Sequence, residues 1–149
     1  MFGYMLIATP PLFERFPILN DHPALPDGPV GTYQEVIEQL IRVGAAESGC
    51  MMNLVSGDVD RGAVVSYCRY PIRDAANAHL WEGAGNIAPE ALRESELFTD
   101  IRARGVARER PFVAETLRAI AEGQLEVPPP AAADLSDAVE KALQQPREA

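Results

Sequence analysis

The stretch GCMMNLVSGDVDRGAVVSYCRYPI, Gly49 to Ile72, decides how the rest of the chain is read. Its two apolar runs are rich in β-branched and aromatic residues, bounded by Gly49, Gly57 and Gly62 and ended by Pro71. That pattern predicts two strands joined by the turn SGDVDRG. Upstream, GTYQEVIEQLIRVG places Thr32 and Glu35 at capping-box spacing, apolar Val36, Ile37, Leu40, Ile41 and Val43 on one face, and Gly44 as a stop, which predicts a helix. Further upstream, FGYMLIA is short, apolar and ended by Thr9-Pro10-Pro11, as expected of a buried strand end or a strand-to-loop transition.

Downstream, residues 74–88 contain Gly83, Gly85 and Asn86 and read as a loop or insertion holding His79 and Trp81. Two helical patterns follow, PEALRESELFTDIRARGV and RPFVAETLRAIAEGQL, the second stopped by Gly123. Beyond VPPP, a Pro/Ala linker leads to DLSDAVEKALQQ, expected to be a short peripheral helix. The order strand, helix, strand, strand, helix is α/β, and sites in such folds gather in loops at the carboxyl ends of strands.

A chain of 149 residues, 47% of them hydrophobic, suits one folded domain. The formal net charge of −9 argues against nucleic acid as a partner, because the protein's field repels a polyphosphate backbone. The basic run IRARGVARER also holds Glu109 and reads as a solvated helix face. Cys50 and Cys68 are far apart in sequence and have no metal-ligand spacing, so they read as reduced core residues of a cytoplasmic protein with no bound metal. The apolar start lacks a basic leader and is broken by Pro10 and Pro11, so neither a secretory signal nor a membrane span is expected.

Three polar residues fall where chemistry is expected: Asn20 and His22 in NDHP, and Asp60 in GDVDRG. Singly, each has an ordinary explanation in turn formation. Together they match the needs of acyl transfer to an amine: an amide donor at the carbonyl oxygen, an imidazole that stabilises charge or moves a proton, and a carboxylate that sets the imidazole's protonation.

The segments GYMLIATP, LNDHPALPDGPVG, SGCMMNLVSGDVDRGAVV and FVAETLRAIAEGQL, within residues 3–125, resemble the formyl-tetrahydrofolate-dependent formyltransferase family, most of all its members that act on glycinamide ribonucleotide. That family carries N-x-H-P-S-L-L-P or a close variant, then a strand begun by Gly and a loop ending L-D-x-G. Asn20, His22, Pro23, Leu25 and Pro26 match the first pattern, and Gly49, Asp60 and Gly62 the second. The resemblance implies a partial doubly wound, Rossmann-like sheet over residues 1–127, with residues 128–149 as linker and tail. It implies formyl-tetrahydrofolate as co-substrate, Asn20, His22 and Asp60 as catalytic residues, and a folate pocket lined by Met5, Leu6, Ile7, Val55, Ser56, Gly57 and Asp58.

The resemblance begins where the family's fourth strand ends, so the first strands and the G-x-G-S phosphate loop are expected to be absent here. A sheet flank left open in that way predicts marginal stability, or association with a second copy or a missing N-terminal half. Asn53 stands where the glycinamide enzyme has a histidine, and residues 73–88 are longer than in the family. The acceptor therefore stays open between glycinamide ribonucleotide and another amine such as an amino sugar. Hydrolysis of formyl-tetrahydrofolate and a non-catalytic folate-binding remnant are the remaining alternatives.

Overall fold

The computed structural model describes residues 8–58 and 61–145. A one-turn helix α1 (Pro10–Phe13) leads to strand β1 (Leu19–His22), helix α2 (Tyr33–Arg42) and strands β2 (Glu47–Leu54) and β3 (Val64–Pro71). Helices α3 (Pro89–Arg93) and α4 (Glu96–Ala121), strand β4 (Ala133–Asp134) and helix α5 (Ser136–Gln144) complete the order. Among the described residues the strands form one mixed sheet, β1-β2-β3-β4, antiparallel except for the parallel β3/β4 pair. The α/β class is as the sequence predicts, and the strand expected over residues 2–8 lies mostly outside the described residues.

Local signals explain the first elements. At the start of α2, the Thr32 N–H donates to Glu35 Oε2 (2.7 Å) while the Glu35 N–H donates to Thr32 Oγ1 (3.4 Å). This reciprocal pair satisfies helix donors that otherwise have no partner. The helix then buries Val36, Ile37, Leu40 and Ile41 against the sheet, each apolar side chain contributing about 1.5–3 kcal/mol when removed from water. The hairpin β2/β3 closes through Gly62: a Cβ there would come within 1.6 Å of the Leu54 carbonyl oxygen, so no other residue fits the turn as built.

Three expectations are corrected. Residues 110–125 do not begin a new helix; α4 runs through Pro111 as one 26-residue helix. Proline in a helix interior removes an N–H and costs about 3 kcal/mol. Burial of Leu97, Phe98, Ile101, Gly105, Phe112, Thr116 and Ala119 along the helix opposes that cost, and the Ser66 hydroxyl meets Thr116 Oγ1 at 2.8 Å in the interior. Residues 74–88 are not slack: they form two short 3₁₀ turns, Ala78–Trp81 and Ala84–Asn86, with Trp81 and Ala84 buried. Buried Asn77 pins the segment, its Nδ2 donating to the Ile72 carbonyl (2.9 Å) and to Asp100 Oδ2 (2.7 Å).

Nor is the tail peripheral. Beyond the prolines the chain adds β4 beside β3 and docks α5 on α4 and β3, with Val139 only 1% exposed in the main core. Arg108 of α4 pairs with Glu140 of α5 at 2.6 Å. Val139→Ala is expected to cost about 2 kcal/mol of stability by opening a void in that core; a urea titration showing an unchanged midpoint would contradict the docking.

Candidate functional site

Asn20 and His22 lie within β1 itself, two residues apart, so the period-two alternation of a strand turns both side chains to one face. The loop carrying Pro23 to Pro29 begins only after His22. In register they oppose Asn53 and Met51 of β2. Asn20 Nδ2 donates to Asn53 Oδ1 at 3.3 Å, and Asn53 is 1% exposed. An amide nitrogen carries two N–H donors, and Asn53 takes one of them. Asn53, noted in the sequence only as a departure from the family, thus orients the Asn20 amide directly.

His22 is buried, and its Nε2 lies 3.0 Å from the Pro29 carbonyl oxygen. A carbonyl only accepts, so it is the His22 Nε2–H that donates to Pro29. The loop between them is tight: the Ala24 N–H donates to the His22 carbonyl (2.9 Å) and the Gly28 N–H to the Leu25 carbonyl (2.8 Å). Leu25 folds back onto Gly49 of β2, where a Cβ would meet Leu25 Cδ2 at 2.5 Å and the Cys68 carbonyl oxygen at 2.4 Å. Gly49→Ala is therefore expected to push the His22 loop off the sheet and to lower Tm by roughly 5 °C or more. Thermal unfolding followed by circular dichroism checks this, and an unchanged Tm would remove the steric argument.

Of the expected folate-pocket residues, Val55 to Asp58 follow β2 beside this face. The Val55 N–H is committed to the Ile18 carbonyl at 2.8 Å, and Ser56 Oγ donates to the Asp58 carbonyl at 3.1 Å. Gly57 and Asp58 are exposed. Asp60, Met5, Leu6 and Ile7 lie outside the described residues; the structure brings Asn20 and His22 to one face, while Val55 meets Ile18 at the start of β1, the end away from His22. Among the described residues, no group of three or more His, Cys, Asp or Glu is arranged to hold a metal ion, and no helix is long and apolar enough to cross a membrane.

Between the two site residues, Asp21 points to the opposite face, toward α4. It is largely buried, and its Oδ1 is sealed from water without a hydrogen-bond partner. Burial, reinforced by the negative charge of Glu109 and opposed by Arg102, pushes its carboxyl up to about 7. With NDHP read as a loop, the strand alternation that makes Asp21 a core position could not be seen in the sequence.

No family model matches the chain, and no solved structure matches it. Over 74 residues the chain is 42% identical to the phosphoribosylglycinamide formyltransferase of Haemophilus influenzae. The matched stretch takes in 47% of this chain and 33% of that protein, so the chain spans about a third of the length of the curated relative it matches. The formyltransferase resemblance carried by the motifs is thus shown over part of the chain.

Proposed function

We propose that this chain carries the catalytic portion of a formyl-tetrahydrofolate-dependent formyltransferase and transfers a formyl group to a primary amine, with glycinamide ribonucleotide as the acceptor. The observation that carries the reading is the shared strand face of Asn20 and His22, with Asn53 holding the Asn20 amide, in a chain partly similar to such an enzyme.

In this reading the acceptor amine attacks the formyl carbon, and the carbonyl oxygen gains negative charge as the tetrahedral adduct forms. The Asn20 amide directs its partial positive charge at that oxygen, and His22 as imidazolium adds a full one. The ring's orientation is set by Nε2–H donating to the Pro29 carbonyl. Asp60 favours charged His22 and takes or relays the proton that lets the tetrahydrofolate nitrogen leave. With the Val55 N–H committed to Ile18, hydrogen bonds from the 55–58 loop to the pterin come from Ser56, Gly57 and Asp58.

The 149 residues contain no G-x-G-S run. In this reading Asn20, His22 and Asp60 serve the formyl group, and the acceptor's phosphate is not met by such a loop within these residues. A second reading, folate binding without transfer, is favoured by the one-third span of the curated relative. Calorimetric titration of the chain with a non-reactive formyl-tetrahydrofolate analogue, run beside a formyl-transfer assay with glycinamide ribonucleotide, separates them. Binding with turnover supports transfer, binding without turnover supports the second reading, and absence of binding overturns both.

A further inference from the structure

We propose that Cys50 and Cys68 form a redox-active dithiol that closes into a disulfide across β2 and β3 when the protein meets a hydroperoxide. The two cysteines, 18 positions apart in the sequence, are direct Cα partners in the antiparallel β2/β3 ladder. Directly opposed antiparallel residues have Cα atoms about 4.5 or 5.5 Å apart, according to the hydrogen-bonding state of the pair. Both separations fall inside the roughly 4.4–6.8 Å that a disulfide spans. Partners in register also project to the same face, and both side chains are buried there as free thiols.

The two thiols are chemically unequal. The neighbouring Cys50 thiol and the positive charge of the Arg108 guanidinium hold the Cys68 thiol below its ordinary range. Cys50 is pushed up by the neighbouring Cys68 and by burial. Cys68 is thus the nucleophile. Its sulfur attacks a hydroperoxide oxygen, breaking the O–O bond and leaving a sulfenic acid and water when the oxidant is hydrogen peroxide. The Cys50 sulfur then displaces the hydroxyl from Cys68 as a second water, forming the S–S bond. Two electrons and two protons leave the thiols, and the peroxide takes up both.

The backbone around Cys68 is braced by α5. Both residues flanking Cys68 are bonded to the start of that helix: the Leu135 N–H donates to the Tyr67 carbonyl (2.8 Å) and the Arg69 N–H to Ser136 Oγ (2.9 Å). A nine-residue helix that buries only Val139 opens at less cost than the 26-residue α4 beside it. Undocking α5 releases those bonds and the Arg108–Glu140 pair together.

The test treats the full chain with hydrogen peroxide, alkylates with iodoacetamide and measures intact mass with and without a reducing agent. The expected product is a monomer lighter by two hydrogen atoms with no alkylatable thiol, both thiols returning on reduction. Cys50→Ala should trap a dimedone-reactive sulfenic acid at Cys68, while Cys68→Ala should react about ten-fold more slowly. Glu140→Gln, which loosens α5, should speed disulfide formation several-fold. Two thiols that stay alkylatable after peroxide, or a bond formed only between chains, would overturn the proposal. Equal rates for the two alanine variants would overturn the role given to Cys68. The parent protein's mass answers the main question even if a variant does not fold.

Discussion

Asn20→Ala is expected to lower kcat for formyl transfer by about 10²–10³-fold with a much smaller change in KM, the loss that follows removal of one oxyanion donor. The charge it stabilises exists only once the amine has added. Asn53→Ala leaves the donor in place but frees its orientation, since the 3.3 Å bond between the two amides is lost. A loss nearer ten-fold is expected there. His22 needs a control, because truncation to alanine also strands the half-buried Pro29 carbonyl that its Nε2–H serves, at a cost of about 1 kcal/mol. His22→Gln puts an amide nitrogen close to the ring Nε2 position but cannot take a proton. Stability should return with Gln while turnover does not. The double variant Asn20→Ala/His22→Ala should be little worse than the poorer single variant, because both act on one oxyanion. Turnover within two-fold of the parent in both single variants would end the assignment.

What was legible in the sequence was local. The capping box of α2 and the glycine-bounded runs of β2 and β3 signal through neighbours within a few residues, and they appear where the pattern puts them. Pro111 and the proline run at 128–130 were misread for one shared reason. Proline chemistry predicts a break, but whether the break happens is set by distant partners: the buried face of α4 in one case, the Tyr67 and Arg69 backbone in the other. A two-residue strand such as β4 is too short for any alternation to be read.

The site was legible in type and less so in cause. Asn20 and His22 were expected in a loop that aims both at one carbonyl, whereas strand alternation aligns them and the loop only braces the histidine. The cysteine pair and Asp21 were not legible as features at all. Each depends on which residue of another element lies opposite, and that register is fixed by the whole hairpin and by α4.

Asp21 gives the second large effect, on stability against pH. Its carboxyl rises from an ordinary 3.8 to about 7 on folding, so the unfolded chain gives up this proton first as pH rises. Below pH 4 both states hold the proton and the residue is neutral in its effect. Between about 4 and 7 the folded state binds one proton more, and stability falls by about 1.4 kcal/mol per pH unit. Above 7 the folded state holds a carboxylate whose Oδ1 has neither water nor a donor. Water entry and the opposing Arg102 charge moderate the total to about 2–4 kcal/mol. Asp21→Asn, of the same shape but without the charge, should match the parent at pH 4 and exceed it by that amount at pH 8, read from urea midpoints at both values. Glu109→Gln should recover part of the gain, because its charge adds to the upward push, and Arg102→Gln should deepen the loss. Parallel pH slopes for Asp21→Asn and the parent would show that the carboxyl is solvated in the folded protein. The strand that strains above pH 7 is the one that holds Asn20 and His22, so the same substitution should extend transfer activity toward alkaline pH without changing its value at pH 6.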